Sequence, residues 1–99
     1  MKSLFQILIP VADNNGVLFS NRIVSGFIAD VVKTVGGITV LPNVWGSWVD
    51  RAVTYKDESM PLQIVCTSEQ IDKIANAAKV LFNQKSVLVV KLSDDVRFY

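Results

Sequence analysis

"GGITVLPNVWGSWVDRAVTYKDESMPLQIVC", residues 36 to 66, decides the fold, because it sets two extended runs side by side between two helix-forming stretches. The runs are Ile38 to Val49 and Val53 to Cys66, and Asp50, Arg51 and Ala52 separate them as a turn. A hairpin turning there puts Val49 near Val53, Ser47 near Tyr55, Trp45 near Asp57 and Ile38 near Ile64. Trp45 and Trp48 are three residues apart, so in a regular strand they point to opposite faces. An extra residue around Pro42 to Trp45 would act as a bulge and bring both rings to one side. Two readings follow: both rings cover core, or one anchors a partner on an exposed surface.

On the N-terminal side, "LFQILIPV" is apolar on both alternating faces except at Gln6, which marks a central strand over Leu4 to Val11. Asp13, Asn14, Asn15 and Gly16 form a loop without the ligand spacing or terminal Glu of a calcium loop. Ser20 or Asn21 caps a helix from Asn21 to Val35, whose stripe is Ile23, Phe27, Ile28, Val31 and Val35, and Gly36-Gly37 stops it. Thr67 and Gln70 have capping-box spacing ahead of a second helix carrying Ile71, Ile74, Ala75, Ala78, Leu81 and Phe82 on one stripe. The β-rich run "SVLVVKL" and then "VRFY" complete the chain.

Strand, helix, strand, strand, helix, strand is the split βαβ pattern. It predicts an α+β, ferredoxin-like fold over residues 1 to 99 as a single domain, with a four-stranded antiparallel sheet in the order 4-1-3-2 and both helices on one face. Ten Lys plus Arg against nine Asp plus Glu give a net charge of +1. With these charges interspersed, the sequence argues against general nucleic-acid binding. The apolar run of "MKSLFQILIP" is too short to span a bilayer and lacks a cleavage site, so no membrane association is expected. A lone Cys66 fits a reducing compartment, the cytoplasm. No histidine is present, which argues against zinc, haem and Ser-His or Cys-His chemistry; no metal and no cofactor are expected.

Gly37-Ile38-Thr39-Val40-Leu41 with Gly46 and Trp48, and then Phe82, Gln84, Ser86-Val87-Leu88, Val90, Val96 and Phe98, resemble the pattern of an uncharacterised family of small bacterial proteins. The resemblance implies a ferredoxin-like fold and no particular activity. The chain departs from that pattern by an extra residue before Gly46, by Val49 after the tryptophan, and by Asp50-Arg51-Ala52 in place of a glycine turn. Trp48 belongs to its Gly-x-Trp element, so Trp48 is expected to be structural and Trp45 to be exposed.

Helices on one side leave the other sheet face bare, and a bare apolar face is most simply covered by a second copy of itself. The leading expectation is therefore a non-catalytic homodimeric binding module, with Trp45, Arg51, Tyr55, Val87 and Val89 meeting a second copy or an unidentified protein or small molecule. The alternative is a small cofactor-free dimeric enzyme, of the oxygenase or isomerase kind, with an apolar pocket between sheet and helices and Tyr55, Asp50 and Arg51 as its polar groups. A nucleotide-sensing trimer is weaker, since no basic phosphate-binding cluster exists. Cys66 reads either as a reactive thiol near a helix N-terminus or as a small core residue.

Overall fold

β1 (Ser3–Pro10) buries every second residue, Ser3, Phe5, Ile7 and Ile9, and leaves the alternate side half-buried, as a central strand covered on one face does. The computed structural model describes residues 1–99. α1 (Asn21–Val35) begins where the Ser20 hydroxyl accepts a hydrogen bond from the Ile23 N–H at 3.2 Å. It ends where Gly36, at φ 93°, takes the left-handed conformation that glycine adopts without a Cβ clash. α2 (Ser68–Leu81) opens with a reciprocal capping box: Thr67 accepts from the Gln70 N–H, and Gln70 accepts from the Thr67 N–H. Both helices bury the stripes that the 3.6-residue spacing predicts, α1 through Phe27 and Val31, α2 through Ile71, Ile74 and Ala78.

The run after α1 is broken into β2 (Thr39–Val40) and β3 (Val44–Asp50), both paired with the long β4 (Val53–Cys66). The sheet is completed by β5 (Val89–Ser93) and runs β2-β4-β1-β5, with β3 continuing the edge along β4. The four expected strands are therefore five segments. The cause lies at two prolines. Between the Val40–Leu62 and Val44–Ser59 pairs, Leu41, Pro42 and Asn43 stand opposite Met60 and Pro61, so the outer chain carries one extra residue. The Pro61 carbonyl accepts from the Leu41 N–H, which shows that Pro61 turns its polar edge toward this irregular side. A residue's N and C=O point to the same side of a strand, so the donor that Pro61 lacks is missing where the ladder is already interrupted. The β1–β4 ladder runs unbroken from Ser3–Cys66 to Pro10–Ser59.

The core lies between the sheet and the two helices. Phe82, fully buried just after α2, meets Phe19 and Phe27 edge-on, with ring centroids 5.0 and 5.5 Å apart. Cys66 is fully buried in the same cluster, and burial pushes its thiol pKa up, with a smaller opposing pull from the Lys2 charge. The core reading of Cys66 holds and the activated-thiol reading does not. Asp13 spends a carboxylate oxygen on the N–H groups of Asn15 and Val17, at 2.8 and 2.9 Å, so it closes its own loop. The architecture is the ferredoxin-like α+β fold. The β3–β4 hairpin runs past the end of β1 and draws the molecule out to 45 × 29 × 23 Å.

Candidate functional site: the bare sheet face and the hairpin

The hairpin turn decides which side chains share a face. Asp50 pairs with Val53, Val49 with Thr54 and Trp48 with Tyr55, so the loop is two residues, Arg51 and Ala52, both at positive φ (51° and 65°). Two consecutive left-handed residues make a type I′ turn, whose twist matches that of the strands. The expected three-residue turn is one residue too long, and the register shifts accordingly: Trp45 stands opposite Glu58 rather than Asp57. The reason is chemical. Arg and Ala carry no preference for the left-handed region, so nothing in "DRA" signals the tight turn they form.

The bulge at Leu41 to Asn43 lies upstream of both tryptophans, so Trp45 and Trp48 remain on opposite surfaces. Trp45 is 73 % exposed, and its exposure is as expected. Trp48 is expected in the structural interior, and here the structure corrects the reading: it is 50 % exposed. Its ring stacks on Tyr55 with centroids 4.7 Å apart and planes 20° from parallel, and its indole N–H donates to the Asp57 carboxylate. Asp57 stands directly across from Gly46, where an added Cβ would meet nothing within 4 Å. Trp48 shares a face with Tyr55 and Asp57, and the indole is ordered by these neighbours rather than by burial.

Register carries that face across the sheet. β4 turns Leu62, Ile64 and Cys66 into the core, so Tyr55, Asp57 and Ser59 share the opposite, helix-free side with Trp48 and Val44. On β5, Val89 pairs with the core residue Ile7, and Val87 and Val89 pack against the core. These two are expected on the partner-binding face, and the pairing places them on the helix side instead. Their neighbours Leu88 and Val90 face out, 58 % and 40 % exposed. Both alternatives are apolar in sequence, so alternation alone does not tell the sides apart.

Asp50, Arg51 and Tyr55 all lie at the exposed end of the hairpin, but no hydrogen bond or ion pair joins any two of them. The chemically organised group is Trp48, Tyr55 and Asp57. Its signal in the sequence is the β-period spacing of Tyr55 and Asp57, which becomes meaningful only once Trp48 is known to pair with Tyr55. At the far edge, the Ser3 hydroxyl and Lys91 hold the Asp94 carboxyl below its ordinary pKa, the hydrogen bond from Ser3 being the larger cause.

No protein-family model and no curated protein matches this sequence, so the uncharacterised-family pattern gains no support from either comparison. Solved structures do match by fold. The divalent cation tolerance protein CutA1 from Thermus thermophilus superposes with a TM-score of 0.73 at 14 % identity, over 99 % of this chain and 88 % of that one. A periplasmic divalent cation tolerance protein CutA from Archaeoglobus fulgidus gives 0.71 at 7 % identity, over 99 % and 88 %. A phage SAM lyase, solved in complex with S-methyl-5'-thioadenosine, gives 0.70 at 13 % identity, over 97 % and 87 %. At such identities the likeness is one of fold: this chain shares the small α+β architecture of the CutA1 proteins along nearly its whole length.

Proposed function

We propose that the chain is a non-catalytic binding module that self-associates as a homodimer through its helix-free sheet face, with the β3–β4 hairpin extending the contact. The observation that carries this reading is the composition of the face: Val44, Trp48, Val53, Tyr55, Leu88 and Val90 are large apolar or aromatic side chains left open on one surface. Burying apolar surface stabilises by roughly 25 cal/mol per Å², and a second copy of the same face supplies a matching surface. Trp, Tyr and Arg dominate the hairpin end, the residue types that carry most binding energy in interfaces. Trp45 and Arg51 lie outside the sheet face and are left for a further protein or small-molecule partner. No helix is long and apolar enough to cross a membrane, and the buried lone thiol suits a cytoplasmic setting.

Emission from Trp48 tests the contact. In a Trp45→Phe protein, dilution from high micromolar to nanomolar concentration should shift the emission to the red as Trp48 is uncovered. Emission already characteristic of a solvent-exposed indole at high concentration would exclude Trp48 from any self-contact.

A second reading, a small enzyme acting on a nucleoside-sized ligand, has one observation in its favour: the phage SAM lyase that holds S-methyl-5'-thioadenosine has the same fold. On this chain the Trp48–Tyr55 stack beside Asp57 is the group able to hold a flat heterocycle. Saturable quenching of Trp48 by S-methyl-5'-thioadenosine supports that reading. Unchanged emission removes it.

A further inference from the structure

At the opposite end of β4 from the hairpin turn, a cleft of about 340 Å³ opens between the start of β1, the end of α1 and the C-terminal segment. That volume lies at the lower end of the range for small-molecule sites, about 300 to 1,000 Å³. Its apolar walls include Leu4, Ile38, Val65 and Phe98, Thr39 and Gln63 add uncharged polar groups, and its single charged residue is Lys2. No carboxylate lines it, and Lys2 forms no ion pair. Phe98 is 84 % exposed at the rim, a large ring with little of the protein against it.

Gly37 keeps this end of the cleft open: its φ lies outside the left-handed region and a Cβ added there would meet nothing within 4 Å, so a side chain can be introduced there as a probe. Gly37 lines the cleft, and a side chain on it would project into open space.

We infer that this cleft binds a small apolar monocarboxylate, of the medium-chain fatty acid class, with the carboxylate at Lys2 and the apolar chain lying toward Gly37 and Ile38. The orientation follows from electrostatics. The free carbonyls at the end of α1, beside Gly36, repel an anion, whereas the Lys2 ammonium attracts it. Lys2 precedes β1 and Ile38 precedes β2, with β4 between them, so the ligand spans two strand spacings, roughly 10 Å. Leu4, Gln63 and Val65 are outward residues of β1 and β4, so the cleft lies on the same helix-free face as the proposed self-contact, at the end away from the hairpin. The Val90→Lys protein separates the two, since it should bind octanoate whether or not a second copy is present.

The test is a titration of the full chain with sodium octanoate, followed by amide resonances. Saturable shifts centred on Gly36, Gly37, Ile38 and Val65 are expected, with octanol producing far weaker ones. Lys2→Glu should weaken binding at least tenfold. Gly37→Leu should occupy part of the cleft and weaken binding to a similar degree, with cooperative unfolding retained, since the Cβ it adds meets nothing within 4 Å. Absence of saturable shifts at millimolar octanoate, equal binding of octanol, or shifts centred on Trp48 and Tyr55 would each overturn the inference.

Discussion

Trp48 and Tyr55, direct partners across the β3–β4 hairpin, hold their rings face to face at 4.7 Å, and the same indole reaches diagonally to the carboxylate of Asp57. The pair is ordered without being buried. Removing it therefore costs far less than emptying a core site, where truncating an aromatic residue to alanine costs about 3 to 5 kcal/mol.

Trp48→Ala should lower monomer stability by about 1 to 2 kcal/mol, the sum of an aromatic pair and one hydrogen bond. Trp48→Ala and Tyr55→Ala should be non-additive, since each removes the same stack. A denaturant-unfolding double-mutant cycle measures the coupling; additive losses would mean that the rings do not support each other.

Arg51 and Ala52 both hold left-handed backbone, a conformation that costs an L-residue about 1 to 2 kcal/mol and costs glycine little. Ala52→Gly should therefore raise stability by about 1 kcal/mol. Thermal unfolding of the variant checks this, and a lower midpoint would mean that the turn is not of type I′.

Asp94 ties β5 to β1 through Ser3 and Lys91, and its folded pKa is depressed. Above the unfolded value of about 4 the carboxyl is ionised in both states and its stabilisation is complete. As pH falls through the lower, folded value the folded state must protonate it, and that contribution disappears. Asp94→Asn should therefore flatten the acid limb of the stability curve below about pH 4. An unchanged acid limb would show that Asp94 does not report on this edge of the sheet.

Cys66 is fully buried with a raised pKa, so at neutral pH its thiol is protonated and shielded. Alkylation by iodoacetamide should be slow in the native protein and should become fast on adding denaturant. Its folded pKa lies above the unfolded one, so the linked stability is complete below the unfolded pKa and is lost only as pH rises through the folded value. Rapid native alkylation at neutral pH would place Cys66 outside the core.

The helices are legible in the sequence because their signals are local. Ser20, Gly36 and the Thr67–Gln70 pair mark their ends, and the 3.6-residue stripes mark their buried sides. The hairpin is legible as a hairpin but not in its register, since a two-residue turn built from Arg51 and Ala52 works against their preferences. Val87 and Val89 change places with Leu88 and Val90 for a different reason. A strand apolar on both sides reveals its inward side only through its partner, here the pairing of Val89 with Ile7. Trp48 reads as structural because it stands in the Gly-x-Trp element beside Gly46. Its pairing with Tyr55 puts it on the helix-free face, and that assignment comes only from the assembled sheet.

Sedimentation equilibrium of the wild type beside Val90→Lys and Val89→Lys tests the central claim, that the helix-free face joins two copies. The account predicts a wild-type dimer at micromolar concentration and a folded monomer for Val90→Lys, whose charge lands on the open face. Val89→Lys, whose charge lands against the core, should instead lose helical circular dichroism and cooperative unfolding. A wild type that sediments as a 10.9 kDa monomer, or a Val90→Lys protein that remains dimeric, would contradict it.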